Sequence, residues 1–244
     1  MSQVMIFDSN KPDIGFHIRS ATLGAEYELV EQFIDYYCHM FTRSNKKNKL
    51  AVFIEPRIES GYPDVVFASY LPSILDNWSD NRETLDTLDL KLLSYLCSTT
   101  DVPGVKLIAK LGFPEKQTLV SLEKLMDAKL VIYRERSWRV RKLRDVFSLT
   151  KLIAIEAKLN GISKVIDQTH LNTWFASHSY ALTNSIHPQS ETLKTFSRYG
   201  IGLFCKGSKF RKVVEAKQYT LPSGYLSFKF NEWIAKAIAH QGGN

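Results

Sequence analysis

The sequence predicts an α/β protein whose central mixed sheet, flanked by helices, is interrupted by a separate insert. Three observations predict it. Apolar runs of strand type alternate with amphipathic helical stretches over residues 21–70 and 148–240. Over residues 86–143 the pattern changes to three helices followed by alternating apolar and basic residues. The 244 residues are 44% hydrophobic and 23% charged, an ordinary globular composition that builds a core without disulfide staples.

The first helix is expected over 21–41, with Leu29, Val30, Phe33, Ile34 and Tyr37 on one stripe. RSNKKNKL follows as a polar connection. Residues 51–70 read as two strand runs, AVFIEPRI and DVVFASY, joined by a turn over Ser60, Gly61, Tyr62 and Pro63. The insert opens with TLDLKLLSYLCST, helical through Leu88, Leu92, Leu93 and Leu96. Pro103 starts a short helix ended by Gly112, and Pro114 opens a third with Leu119, Leu122, Leu125 and Met126 on one face. VIYRERSWRVRKL closes the insert as a hairpin with Trp138 at its tip.

Strand signal resumes at SLTKLIAIEAKLN, and Gly161 marks the start of a helix, GISKVIDQTHLNTWF. HSYALTNS is a strand, SETLKTFSRYG a short helix and IGLFCKG a final strand. The tail is a helix packed through Trp233, Ile234, Ala237 and Ile238. Residues 1–78 and 145–244 therefore form one discontinuous domain, and residues 79–144 a second.

The formal charge of +7 suits a polyanionic partner. Cys38, Cys97 and Cys205 are odd in number and far apart, with no CxxC, which argues against a disulfide framework or a zinc knuckle. A reducing cytoplasm is the expected setting. No signal peptide, bilayer-crossing run or internal repeat is seen. The histidines lack HExxH spacing, GxSxG is absent, and Gly200 and Gly202 do not complete a dinucleotide fingerprint.

The informative segments are GYPDVVF and LIAIEAKLN. Alternate strand residues share a face, so Glu156 and Lys158 point one way and Ile153, Ile155, Ala157 and Leu159 the other. A carboxylate and an ammonium on so apolar a strand need a partner or a ligand. If Asp64 lies on the neighbouring strand, two carboxylates and a lysine converge. Hard oxygen donors of this kind suit Mg²⁺ or Mn²⁺. An ExK triplet also arises as a solvated edge with a salt bridge.

Pro63–Asp64 and Glu156-Ala157-Lys158, each with its apolar strand and with a helix after the second, resemble the PD-(D/E)xK, or restriction-endonuclease-like, nuclease superfamily. The resemblance implies that Asp64, Glu156 and the Ala157 carbonyl bind the metal and that Lys158 acts at the attacking water and the phosphate. Gln168 sits where some branches carry a glutamine near the site. Glu55, Glu26, Glu28 and Glu31 are further carboxylate candidates that the sequence does not rank. The insert, three helices and a hairpin, resembles a winged helix-turn-helix. That resemblance implies nucleic-acid contacts from Lys116, Gln117, Thr118, Ser121 and Lys124 on the third helix. The hairpin would add Arg134, Arg136, Arg139 and Arg141, with Arg134, Arg136 and Trp138 on one face. KGSKFRKVVEAK is a further basic stretch, either lining the substrate path or plain surface.

The expected function is metal-dependent DNA endonuclease activity, hydrolysing phosphodiester bonds in a phage-defence, mobile-element or repair setting. The expected partners are DNA, with RNA left open, and no membrane, in a homodimer or a larger nucleoprotein complex. The alternative is a DNA-binding regulator or complex-assembly protein with an inactive nuclease-like core.

Overall fold

Leu29, Val30, Phe33, Ile34 and Tyr37 are all buried in the structure, a computed structural model that describes residues 3–8, 15, 17, 24–59, 61–160 and 162–242. They form the inner stripe of α1 (Ala25–Ser44). Residues 21–23, Ser60 and Gly161, expected in a helix start, a turn and a second helix start, lie outside the described residues. The chain divides into two compact units, Met1–Leu71 with Leu149–Ser223, and Pro72–Ser148 with Gly224–Asn244.

The first unit begins with β1 (Val4–Phe7), followed by α1, β2 (Lys49–Ile54) and β3 (Val65–Tyr70). β1 is a strand that sequence periodicity does not reveal, because four residues are too few to show alternation. It pairs parallel to β2, and β2 pairs antiparallel to β3.

The chain then builds the second unit. α2 (Thr87–Cys97) opens on a capping box: the Asp86 carboxylate accepts the Leu88 and Asp89 amides at 2.8 and 3.2 Å, and Asp89 accepts the Asp86 amide at 2.9 Å. α3 (Gly104–Leu111) stops at Gly112, whose φ of 66° ends the helix in the left-handed region. α4 (Glu115–Asp127) follows Pro114, and β4 (Val131–Arg134) and β5 (Ser137–Val140) form a hairpin before the one-turn α5 (Leu143–Val146). Leu92, Leu93, Leu96, Leu107, Leu122 and Leu125 are buried in this unit. Leu119 and Met126 depart from the expected buried face of α4: they are 45% and 44% exposed. The hairpin tip is also corrected. Glu135 and Arg136 occupy it, with φ of 53° and 59°, and Trp138 lies within β5 opposite Tyr133. Arg136 therefore does not share a strand face with Arg134.

β6 (Leu149–Ala157) returns to the first unit and is followed by α6 (Ile162–Leu171), β7 (His178–Thr183), α7 (Ser190–Tyr199), β8 (Gly202–Lys206) and β9 (Phe210–Val214). The sheet order is β1-β2-β3-β6-β7-β8-β9. β3 and β6 are antiparallel neighbours, β6, β7 and β8 run parallel, and β9 turns back antiparallel. β9 falls on the basic stretch, whose charges hide the strand pattern. One face of the sheet (Val65, Phe67, Ile153, Ile155, Ala157, Tyr180, Phe204) packs under the α1 stripe. On the other face Ala181, Leu203 and Cys205 meet Val165 and Phe196 from α6 and α7. Among the described residues no helix is long and apolar enough to cross a membrane.

The final helix, α8 (Tyr225–Gly242), buries Trp233, Ile234, Ala237 and Ile238 as the sequence predicts. Its company differs from the expected division at 145. It packs on α2, its Phe228 ring meets Phe147 edge-on at 5.1 Å, and buried Arg82 donates from Nε and Nη2, one edge of its guanidinium, to the two Glu232 oxygens at 2.8 and 2.5 Å. These contacts assign residues 224–244 to the helical unit. Hydropathy shows that a helix is buried, not which apolar surface receives it.

Candidate functional site

Antiparallel pairing fixes where the Asp64 segment meets the Glu156 segment. Val65 pairs with Ile155, so one step further out Asp64 stands opposite Glu156. The Asp64 carboxylate reaches across and accepts the Ala157 amide hydrogen at 2.6 Å, joining residues 93 positions apart. β2 ends at the same place. Glu55 leaves the strand with φ of 44°, an unfavourable value for a residue with a Cβ, and donates its amide to the Asp64 carbonyl at 3.0 Å. Backbone strain of this kind persists where surrounding structure holds it, often at functional sites.

A cavity of about 190 Å³ opens at this sheet end, lined by Glu26, Tyr27, Val30, Ile54, Glu55, Asp64 and Lys158. α1 supplies Glu26 from its first turn. Glu26 accepts the Lys158 ammonium at 2.8 Å and the Leu159 amide at 3.3 Å, so it ties the end of β6 to the start of α1. Glu28 and Glu31 are exposed and do not line the cavity.

Burial pushes the Asp64 carboxyl up to about 6, and Glu55 and Glu26 add to the rise against the opposing pull of the Ala157 amide and Lys158. Burial presses Lys158 the other way, but Glu26, Asp64 and Glu156 outweigh it and hold its pKa above the usual lysine value. Lys158 therefore stays cationic at neutral pH beside a carboxyl that is easily protonated.

Glu156 lies near enough to raise the Lys158 pKa, but it does not line the cavity. It is buried, and its carboxylate accepts the Asn172 side-chain amide at 2.7 Å. Asn172 begins a 3-10 turn, Asn172–Trp174, directly after α6. The expected convergence is met in the cavity by Asp64 and Lys158, with Glu26 and Glu55 added, but Glu156 and Lys158 do not share a face. Ile155 and Ala157 face α1, Glu156 faces away to Asn172, and Lys158 lies past the end of β6, where strand alternation no longer sets its direction. Ala157, expected to offer its carbonyl, gives its N–H to Asp64. Gln168 is exposed on α6 and does not line the cavity. Asn172 and Tyr27 carry no sequence signal of their own, since only the fold brings them to these positions.

Among the described residues no group of three or more His, Cys, Asp or Glu side chains is set to hold a metal ion. Mg²⁺ does not need one: it commonly takes one or two carboxylates and keeps several waters. Glu156, opposite Asp64 in register, turns its carboxylate to Asn172, but Asp64 with Glu55 or Glu26, which line one cavity, fits that smaller demand. So does the chemistry of the site, a desolvated carboxyl among other carboxylates whose raised pKa a cation would relieve.

In the second unit Lys116 and Gln117 are exposed on α4, but Ser121 is 3% exposed and Thr118 1%, because both lie on the helix face turned into the unit's core. Neither has the access that a base contact needs. Lys124 is paired with Asp86 and Asp89, each at 3.2 Å. Arg134 pairs with Glu135 at 3.1 Å, Arg139 with Asp101 at 2.6 Å, and Arg141 reaches the Lys129 carbonyl at 3.5 Å. Arg136 is exposed at the hairpin tip. Comparison of the chain with family models, with characterised proteins and with solved structures gives no match.

Proposed function

We propose that the protein is a metal-dependent nuclease that hydrolyses phosphodiester bonds, with DNA as the favoured substrate. The carrying observation is the meeting of Asp64 with the end of β6: the carboxylate binds the Ala157 amide and shares a cavity with Lys158. These are the two segments whose residues resemble the PD-(D/E)xK superfamily, and they are adjacent in the sheet.

Asp64 would hold Mg²⁺ or Mn²⁺ with Glu26 or Glu55, which line the same cavity, and Glu156 would act from behind it through its charge on Lys158. The ion, when bound, supplies charge neutralisation at phosphate and acidifies water. Lys158 is a cation aimed into the cavity, placed to donate to a phosphate oxygen or to the attacking water. Glu26 holds its ammonium in place. Asn172 donates to the Glu156 carboxylate at 2.7 Å. No side-chain nucleophile is required.

A plasmid-nicking assay with Mg²⁺ tests the reading. Wild type should cut, and Asp64→Asn, Glu156→Gln and Lys158→Met should each lower cutting, Asp64→Asn by about 1000-fold. Cutting by all three variants at the wild-type rate would sink it.

A second reading, complex assembly through the helical unit, draws on α4. Leu119, Val120 and Met126 are 45%, 44% and 44% exposed there, beside Glu115 and Glu123. That surface is more apolar and acidic than a groove-reading helix requires. Substituting Lys116 and Gln117 should leave DNA affinity intact if this reading holds for α4, and weaken it if α4 reads DNA.

A further inference from the structure

Parallel strands send their carboxyl ends to one edge of a sheet. Ala157 of β6 pairs with Leu182 of β7, and Thr183 of β7 pairs with Cys205 of β8. The ends of β6, β7 and β8 therefore lie in one row. Lys158 stands at one place in this row and Lys206 at another. β9 returns from the same edge, with Phe210 opposite Lys206 and Arg211 opposite Cys205. At the normal strand spacing, β8 lies about 10 Å and β9 about 15 Å from β6.

The turn between β8 and β9 is the basic stretch left undecided by the sequence. Lys206, Lys209, Arg211 and Lys212 fall within seven residues, and no Asp or Glu occurs between 206 and 214. Lys209 and Arg211 are exposed. The turn is anchored: Phe210 packs against Phe33 and Tyr36 of α1 at 5.2 Å each, and the Arg211 guanidinium donates to the Ile186 carbonyl at 3.3 Å. Cations on a braced turn form a preorganised polyanion surface.

We infer that the β8–β9 turn, through Lys209 and Arg211, is a phosphate-backbone track that guides a nucleic-acid strand to the Asp64–Lys158 cavity. The inference rests on the proposed nuclease reading for what happens in the cavity, and on the sheet alone for where the strand lies. The separation spans a few nucleotides, so one strand reaches both places. Lysines also guard exposed sheet edges against pairing with other chains. Guarding would leave unpaired cations along β9. Here Lys212, in mid-strand, is paired with Glu215 at 2.7 Å, and Lys209 and Arg211 lie at the end nearest the row of strand ends.

The test is salt-titrated binding of a short fluorescein-labelled DNA duplex, run beside the nicking assay. Each phosphate contact contributes about 0.9 to the slope of log affinity against log salt. Lys209→Gln/Arg211→Gln should flatten that slope by about 2, Lys209→Arg should retain it, and all variants should melt like wild type. Lys217→Gln is the control, because Lys217 bonds to Gly200 at the opposite edge of the sheet and should leave the slope unchanged. An unchanged slope in the double variant, an equal fall with Lys217→Gln, or no DNA binding by wild type overturns the track. A flattened slope without Asp64-dependent nicking would retain the track and remove the nuclease reading. Asp64-dependent nicking with an unchanged slope would do the reverse.

Discussion

Asp64 and Ala157 meet across the β3–β6 boundary, where a half-buried carboxylate takes a backbone amide hydrogen at 2.6 Å. The contact holds the carboxylate at the mouth of the cavity, yet it does not repay the desolvation, and the carboxyl pKa stays at about 6. The folded protein thus binds a proton there between pH 4 and 6 that the unfolded chain, with a value near 3.8, has released. Stability from this group is present at low pH and falls as pH rises through that window. The full difference is about 3 kcal/mol. Asp64→Asn keeps an oxygen for the Ala157 amide and removes the charge. It should raise stability above pH 6 by about 2–3 kcal/mol while lowering nicking about 1000-fold, read by thermal melts across pH and by plasmid nicking.

The same carboxyl sets the pH at which a cation would bind. A protonated Asp64 is a poor ligand, so Mg²⁺ should raise the melting temperature at pH 7.5 and have little effect at pH 4.5. Melting scans with and without the ion at both pH values check this. Equal shifts at the two pH values would place the ion elsewhere.

Glu26 and Lys158 form a partly exposed pair at 2.8 Å, with side chains 43% and 28% accessible. Such a pair adds little to stability, about 0–1 kcal/mol. Glu26→Gln should therefore melt close to wild type. It should nonetheless lower activity about 10- to 100-fold, the range seen when a supporting residue stops orienting a site group. A loss of folding comparable with the loss of activity would make the pair structural.

Asn172 donates to Glu156 at 2.7 Å, and both side chains are nine-tenths buried or more. Asn172→Leu leaves a buried carboxylate short of a donor, which costs about 1–3 kcal/mol. Asn172→Leu/Glu156→Gln removes the charge that needs the donor and should regain part of that loss. Denaturant melts of the single and double variants measure the coupling. An additive double variant would show that the hydrogen bond is dispensable.

The strand runs around Asp64 and Glu156 and the stripe of α1 were legible because they carry strong periodicity, and one α/β sheet flanked by helices follows from them. Partners that depend on distant packing were not. Asn172 looks like one more polar residue of the helix expected over 161–175 until α6 ends at Leu171 and the turn after it returns Asn172 to β6. Ser121 looks like a polar helix residue until α4 turns it inward. α8 announces burial through Trp233 and Ile238 but not that α2 receives it. Charge misleads in a further way: the hairpin arginines Arg134 and Arg139 read as unpaired cations, and each has an acidic neighbour, Glu135 and Asp101, in an exposed ion pair. The lysine and arginine of β9 conceal an edge strand in the same way.

The β4–β5 turn gives a prediction independent of the sheet. Glu135 and Arg136 both adopt positive φ, 53° and 59°, as a two-residue turn of the mirror-image type demands. Asn-Gly suits that geometry, because glycine has no Cβ and the short asparagine side chain tolerates positive φ, whereas Glu-Arg holds it against a local preference. Glu135→Asn/Arg136→Gly should stabilise the helical unit by about 1 kcal/mol, visible in denaturant melts. The substitution also removes the exposed guanidinium at the tip and frees Arg134 from its partner Glu135. If the hairpin contacts DNA through Arg136, the salt slope of binding should flatten by about 1 despite the added stability. A more stable variant with an unaltered slope would take the tip out of the nucleic-acid interface and leave Arg136 as the occupant of a strained turn.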